Sequence, residues 1–85
     1  MSVEVRYARS FLRDLKSLES AAYQQICEVV FEKCLQIQGI QDLPELHPIG
    51  SDALFYRFTI DNYMVGIEVT GHIVKFVRVL PKPYL

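Results

Sequence analysis

Apolar and polar residues alternate at the start of the chain, where Val3, Val5 and Tyr7 interleave with Ser2, Glu4 and Arg6. A period of two predicts a half-buried strand over residues 2–7. The period then changes. In ARSFLRDLKSLES (8–20), Phe11, Leu12, Leu15 and Leu18 share one helical stripe, and Arg9, Arg13, Asp14 and Lys16 take the other side. That spacing predicts an amphipathic helix of about three turns. A second, longer helix follows in AAYQQICEVVFEKCLQIQ (21–38), with Tyr23, Ile26, Cys27, Val30, Cys34 and Ile37 at helical spacing. Ser20 offers its N-cap, and Gly39 stands where a C-cap glycine belongs. Val29, Phe31 and Leu35 widen the apolar arc, so this helix either buries two faces or presents apolar surface to a partner.

Residues 39–53, GIQDLPELHPIGSDA, contain two prolines and two glycines and predict an irregular connection, in which His47 reads as a loop residue. Connections of this length often carry function. Three strands follow, LFYRFTI (54–60), YMVGIEV (63–69) and IVKFVRVL (73–80). Asp61-Asn62 gives the two-residue spacing of a hairpin, Thr70-Gly71-His72 makes a second turn, and Pro81 and Pro83 end the sheet. The order β-α-α-β-β-β predicts an α+β fold, two N-terminal helices packed on a mostly antiparallel sheet.

In the first of these three strands Leu54, Tyr56, Phe58 and Ile60 are the set expected to meet the helices. In the second that set is Tyr63, Val65, Ile67 and Val69. Arg57, Thr59, Met64, Gly66 and Glu68 then face outward, and Gly66 leaves room for close approach of a backbone or ligand. In the last strand Arg78 shares parity with Val74, Phe76 and Leu80, and alternation alone leaves its inward face undecided.

Eighty-five residues predict one small domain, 1–85, and an apolar content of 51% excludes disorder as its main state. No apolar run approaches the roughly 18 residues of a membrane span. The opening MSVEVRYARS lacks the layout of an export signal, so a soluble cytoplasmic protein is expected. Cys27 and Cys34 lie about 10 Å apart along a helix, too far for a mutual disulfide, and read as core thiols. No CxxC or HExxH spacing occurs, and neither a metal nor a cofactor is expected. The net charge of −1 argues against a general nucleic-acid binder. Its distribution is uneven: residues 54–85 hold four basic side chains (Arg57, Lys75, Arg78, Lys82) against two acidic ones (Asp61, Glu68). The first 53 residues hold five basic and eight acidic. Any anion-handling surface belongs to the C-terminal third. The residues themselves go no further than a small α+β domain with a mildly basic outer sheet face.

Three features together carry a resemblance: the opening strand with FLRDLKSLES, the proline-containing loop before the YRF strand, and the terminal IVKFVRVLPKPY. In order and spacing the chain resembles the RelE/ParE superfamily of toxin–antitoxin toxins over about 80 residues. The resemblance implies a RelE-like type II toxin that inhibits translation by ribosome-dependent mRNA cleavage, as an endoribonuclease using Lys, Arg and Tyr without a metal. Its implied partners are a cognate antitoxin, mRNA and the ribosome, with a homodimer left open and no membrane. Carried over by position, Arg57, Lys82 and Tyr84 are the catalytic candidates, and Arg78 and Thr59 the RNA-binding ones. Thr59 stands where a second basic residue is common, and Met64 stands where an arginine normally follows the tyrosine. This thinned set keeps a second reading in view, a ParE-like inhibitor of DNA gyrase or a catalytically inactive binding protein of the same fold. Val29, Phe31 and the edge of the meander are the expected antitoxin contacts, with a thick core as the alternative use of the two helix residues.

Overall fold

The computed structural model describes residues 3–36, 38–39, 42–51 and 54–82. Its elements are β1 (Glu4–Tyr7), α1 (Arg9–Lys16), α2 (Ser20–Cys27), β2 (His47–Pro48), β3 (Phe55–Ile60), β4 (Tyr63–Thr70) and β5 (Ile73–Pro81). The strands form one sheet in the order β1-β5-β4-β3-β2, parallel between β1 and β5 and antiparallel elsewhere. The α+β layout matches the sequence expectation, with one correction: the connection before β3 is not wholly irregular. Gly50 takes a left-handed φ of 72° after β2, and the Ile49 N–H donates to the Phe55 carbonyl at 2.8 Å, so His47–Pro48 pair with β3 as a fifth strand.

The meander forms as its alternation requires. Phe58, Ile60, Val65 and Ile67 are buried against the helices. Each tight turn begins on a residue of positive φ, Asp61 at 55° and Gly71 at 59°, a conformation that Asp tolerates and Gly adopts freely. Thr70 still pairs with Ile73, so the second turn is Gly71-His72 alone.

In β5 the register resolves what alternation left open. Gly66 lies opposite Arg78 and Ile67 opposite Phe76, which leaves Val77 as an extra residue. This bulge reverses the parity: Val74 and Phe76 point inward before it and Val79 after it, all three at most 1% exposed, while Arg78 is exposed on the outer face.

Beyond Phe76, β1 no longer covers the edge of β5, and α1 takes over. The Ala8 N–H donates to the Phe76 carbonyl at 2.8 Å and the Ser10 hydroxyl to the Val77 carbonyl at 2.6 Å. The Val79 N–H donates to Asp14 Oδ2 at 3.0 Å. A strand edge that would otherwise leave its backbone groups unpaired is thereby satisfied.

The helices are shorter than the apolar stripes suggest. α1 has eight residues, about two turns, and its end tightens as the Ser17 N–H reaches back three residues to the Asp14 carbonyl at 3.0 Å. Phe11 and Leu15 are buried, whereas Leu12 is 41% exposed and lies off the buried stripe. Ser20 is the first helical residue of α2 rather than its cap, a position taken by Glu19 without a side-chain hydrogen bond. After Cys27 the helix widens into a π-turn over Glu28–Lys33 and closes as a 3-10 turn at Cys34–Gln36. It therefore stops before Gly39, whose carbonyl accepts the Asp42 N–H at 3.0 Å. Ile37 lies outside the described residues.

The buried residues here are Ala22, Ile26, Val30 and Cys34, each four apart. In a helix of about 3.6 residues per turn that spacing would drift round the axis. The wider π-turn, whose bonds skip five residues, absorbs the drift and keeps all four inward. Tyr23 and Leu35 consequently fall outside the core, at 44% and 59% exposure. Val29 and Phe31 instead pack part-buried against it, which decides for the thick core over a free apolar face.

Under the helices Tyr7, Phe11, Phe31 and Phe76 form one aromatic cluster, with Tyr7 lying 4.6 Å from Phe31 and 5.6 Å from Phe76, centroid to centroid. The Tyr7 hydroxyl donates to the Val30 carbonyl in the π-turn at 3.4 Å. Burial raises the Tyr7 pKa, and proximity to Cys34 adds to it. Burial alone pushes the Cys34 thiol up to about 11. An unfolded thiol titrates near 8.5, so the folded chain holds a proton that the unfolded chain releases between those values. The contribution is therefore complete below about pH 8.5 and is lost as pH rises toward 11, by at most about 1.4 kcal/mol per pH unit. Urea unfolding at about pH 8 and pH 10 should show a steeper fall for the wild type than for Cys34→Ala. Equal slopes would mean the thiol titrates alike in both states.

Among the described residues no helix is long and apolar enough to cross a membrane.

Candidate functional site

The sheet face turned away from the helices carries the basic side chains in cross-strand rows. Register places His47 of β2 opposite Arg57 of β3, Arg57 opposite Gly66 of β4, and Gly66 opposite Arg78 of β5. Directly paired residues share a face, so His47, Arg57 and Arg78 project from one row with bare backbone at Gly66. Neighbouring strands lie about 4.8 Å apart, which sets the two arginine backbones roughly 10 Å apart across the glycine. A Cβ built on Gly66 would meet the Arg78 Cβ at 3.9 Å, an ordinary contact. A larger side chain could therefore be accommodated there, but it would occupy the gap between the arginines.

The two arginines differ in what holds them. Arg57 is exposed and donates from Nη1 to the Met64 sulfur at 3.3 Å. A thioether is a weak acceptor and carries no charge, so this contact orients the guanidinium without neutralising it. Arg78 bends round the β5 edge to Asp14, from Nε to Oδ2 at 2.7 Å and from Nη2 to Oδ1 at 3.2 Å. The hydrogen bond and then the charge of Asp14 raise the Arg78 pKa further. Asp14 is the more sheltered partner, its side chain 14% exposed against 52% for Arg78. The same carboxylate also caps the Val79 N–H. Among the described residues, charge compensation is therefore concentrated at one end of the row, at Arg78, with none at Arg57.

The flanking rows are less basic. Arg6, Lys75, Glu68 and Phe55 form the row on one side, with Arg6 also paired to Glu4. Thr59, Met64 and Leu80 form the row on the other. Lys82 is exposed just past Pro81, and its N–H donates to the Asn62 carbonyl at 2.8 Å, which fastens the strand end to the β3–β4 turn. Its neighbour Pro81 pairs with Tyr63, three residues along β4 from Gly66, about 10 Å from the central row.

Of the residues singled out from sequence, Arg57, Thr59 and Arg78 thus meet on one face, and Lys82 lies at its end. Tyr84 lies outside the described residues. His47 is the member that alternation missed, because a two-residue strand is too short to show a period. The available signal was the Gly50-Ser51 turn between two runs that could pair. A groove of about 380 Å³ lined by Val29, Lys33, Cys34, Asp42, Leu43 and Pro44 opens on the helix side instead. It shares no residue with the basic row.

No family model matches the chain. Among characterised proteins it is similar to Toxin RelE3 of Methanocaldococcus jannaschii, 32% identical over 79 residues, which are 92% of this chain and 89% of that protein. Among solved structures it is similar to a chain of the RelB–RelE antitoxin–toxin complex from Methanococcus jannaschii, with a TM-score of 0.68 and 28% identity. That match covers 89% of this chain and 88% of the other. A chain of the toxin–antitoxin complex RelBE2 from Mycobacterium tuberculosis superposes with a TM-score of 0.75, covering 96% of this chain and 100% of that one. At 16% identity the likeness is one of fold.

Proposed function

This chain belongs to the RelE family of toxins, and from that premise we propose that it stops translation by cleaving mRNA bound at the ribosome. The observation that carries the reading is the central row of the outer face, where Arg57, which has no charged partner among the described residues, stands beside the bare backbone of Gly66. Cleavage of an RNA strand by its own 2′-hydroxyl passes through a crowded, doubly charged phosphorus centre, and a fixed cation stabilises that charge. In this reading Arg57 holds the scissile phosphate over Gly66, and Thr59 hydrogen-bonds the strand one pleat further along. Arg78 borders the phosphate track from the far side of the glycine. Lys82, just past the end of β5, and Tyr84, two positions on in the sequence, serve the leaving group.

The partners follow from the same reading. A cognate antitoxin comparable to the RelB chains in the relatives' complexes would hold residues 1–85, a single toxin domain, inactive in the cytoplasm until mRNA and ribosome are engaged. With a net charge of −1 the chain has little long-range attraction for RNA, so the ribosome supplies the local concentration that electrostatics does not.

The test is to add the purified chain to ribosomes programmed with a defined mRNA and to map the new 5′ ends. Cleavage that appears only with ribosomes is the expected result. Intact mRNA under conditions where peptide synthesis stops would overturn the nuclease reading and leave a non-cleaving inhibitor.

A further inference from the structure

We propose that His47 is the proton-transfer residue of this site, a role that rests on the nuclease reading above. Cleavage needs more than cations, because a group must take the 2′-hydroxyl proton as the oxygen attacks. An arginine cannot, since its guanidinium stays protonated throughout the accessible pH range. In the central row, Arg57 and Arg78 are guanidiniums and Gly66 has no side chain. His47 is the one member whose side chain offers a nitrogen that can both accept and donate a proton. It is exposed, directly opposite Arg57, on a strand whose only partner in the sheet is β3. Arg57 is the single charged residue of β3, and Glu45 is the nearest charged residue in the chain. A phosphate held by Arg57 therefore has an imidazole on one side and open backbone on the other, and the 2′-hydroxyl lies on the sugar next to that phosphate.

The step balances without another reagent. The unprotonated imidazole nitrogen of His47 takes the 2′-hydroxyl proton, the 2′-oxygen bonds to phosphorus, and the bond from phosphorus to the 5′-oxygen breaks. That oxygen takes a proton from the Lys82 ammonium, and the amine regains one from solvent as the imidazolium of His47 gives up its own. The products are a 2′,3′-cyclic phosphate and a free 5′-hydroxyl.

His47→Gln keeps a polar side chain of similar reach that cannot exchange the proton. The experiment measures single-turnover cleavage on programmed ribosomes across about pH 5.5 to 9. It also measures binding of an mRNA carrying a 2′-deoxy sugar at the cleavage site. The wild-type rate should climb with pH as the general base loses its proton and then level off. His47→Gln should lose that limb and be slower by about 10²–10³-fold, with binding of the deoxy mRNA within twofold and an unchanged melting curve. A variant that cleaves at the wild-type rate with the wild-type pH profile overturns the role of His47 while the nuclease reading stands. A wild type that leaves mRNA intact overturns both.

Discussion

Arg57→Ala should abolish growth arrest on induced expression while the protein melts as the wild type does. The side chain is exposed, and its contact with Met64 is a weak one across the hairpin, so its loss should change stability by no more than about 0.5 kcal/mol. Its electrostatic role is not replaceable from within the row. Arg78 is engaged by Asp14 at two points, and that carboxylate is itself held in place by the Val79 N–H. Removing one well-placed donor to a developing oxyanion costs about 10²–10³ in rate, enough to take ribosome-bound cleavage below the level that arrests growth. Arg57→Lys should fall between, since it keeps the charge and loses the planar fork. Two measurements decide the matter, the growth of induced cells and the thermal melt of the purified variant. Arrest by Arg57→Ala equal to the wild type would remove the central row from the mechanism.

The parts of this site that could be read from sequence are those where local chemistry and tertiary placement agree. Alternation in β3 and β4 holds from Tyr56 to Val69, so the outward set Arg57, Thr59, Met64, Gly66 and Glu68 followed directly, whereas Leu54, expected to face the helices, is 42% exposed. The turn residues agreed with it, because Asp61 and Gly71 accept the positive φ that the hairpins need. β5 broke the rule through one extra residue. Val74, Val77 and Val79 look alike in sequence, and only pairing with β4 shows that Val77 is the bulge. The same insertion turns Arg78 outward, where it meets an aspartate sixty-four positions earlier in the chain. No local pattern encodes a partner at that distance.

The second helix was misread for a related reason. An apolar spacing of four looks like an ordinary amphipathic stripe until a π-turn absorbs the drift, and that turn is stabilised from outside the helix. The Tyr7 hydroxyl reaches its Val30 carbonyl from β1, and the aromatic cluster fills the space beneath. Tyr23, counted in the core stripe by period, ends up on the surface, and so does Leu35, whose side the sequence left open. His47 is the case with functional weight. Two residues of strand beside a proline give no period, and their pairing depends on β3 already being in place.

Phe76→Ala should cost the chain a large share of its stability, and this follows from where the ring sits. Phe76 is fully buried, with centroids 5.6 Å from Tyr7, 5.4 Å from Phe11 and 6.4 Å from Phe58. It therefore joins β1, α1 and β3 through one side chain of β5. Its carbonyl receives the Ala8 N–H at the point where α1 replaces β1 along the strand edge. Truncating a buried phenylalanine costs about 3–5 kcal/mol. A domain of this size has roughly 4–13 kcal/mol to lose, at 0.05–0.15 kcal/mol per residue. Phe76→Leu, which retains most of the volume, should cost much less, because the hole left is smaller. Urea titration of the three proteins gives the comparison, and a midpoint for Phe76→Ala equal to the wild type would mean the core is not centred on this ring. The two alanine variants also separate fold from chemistry. Both should weaken the toxin in cells, but Phe76→Ala by lowering the stability of the fold and Arg57→Ala with that stability intact. A melting curve therefore tells which link in the chain from sequence to activity has been cut.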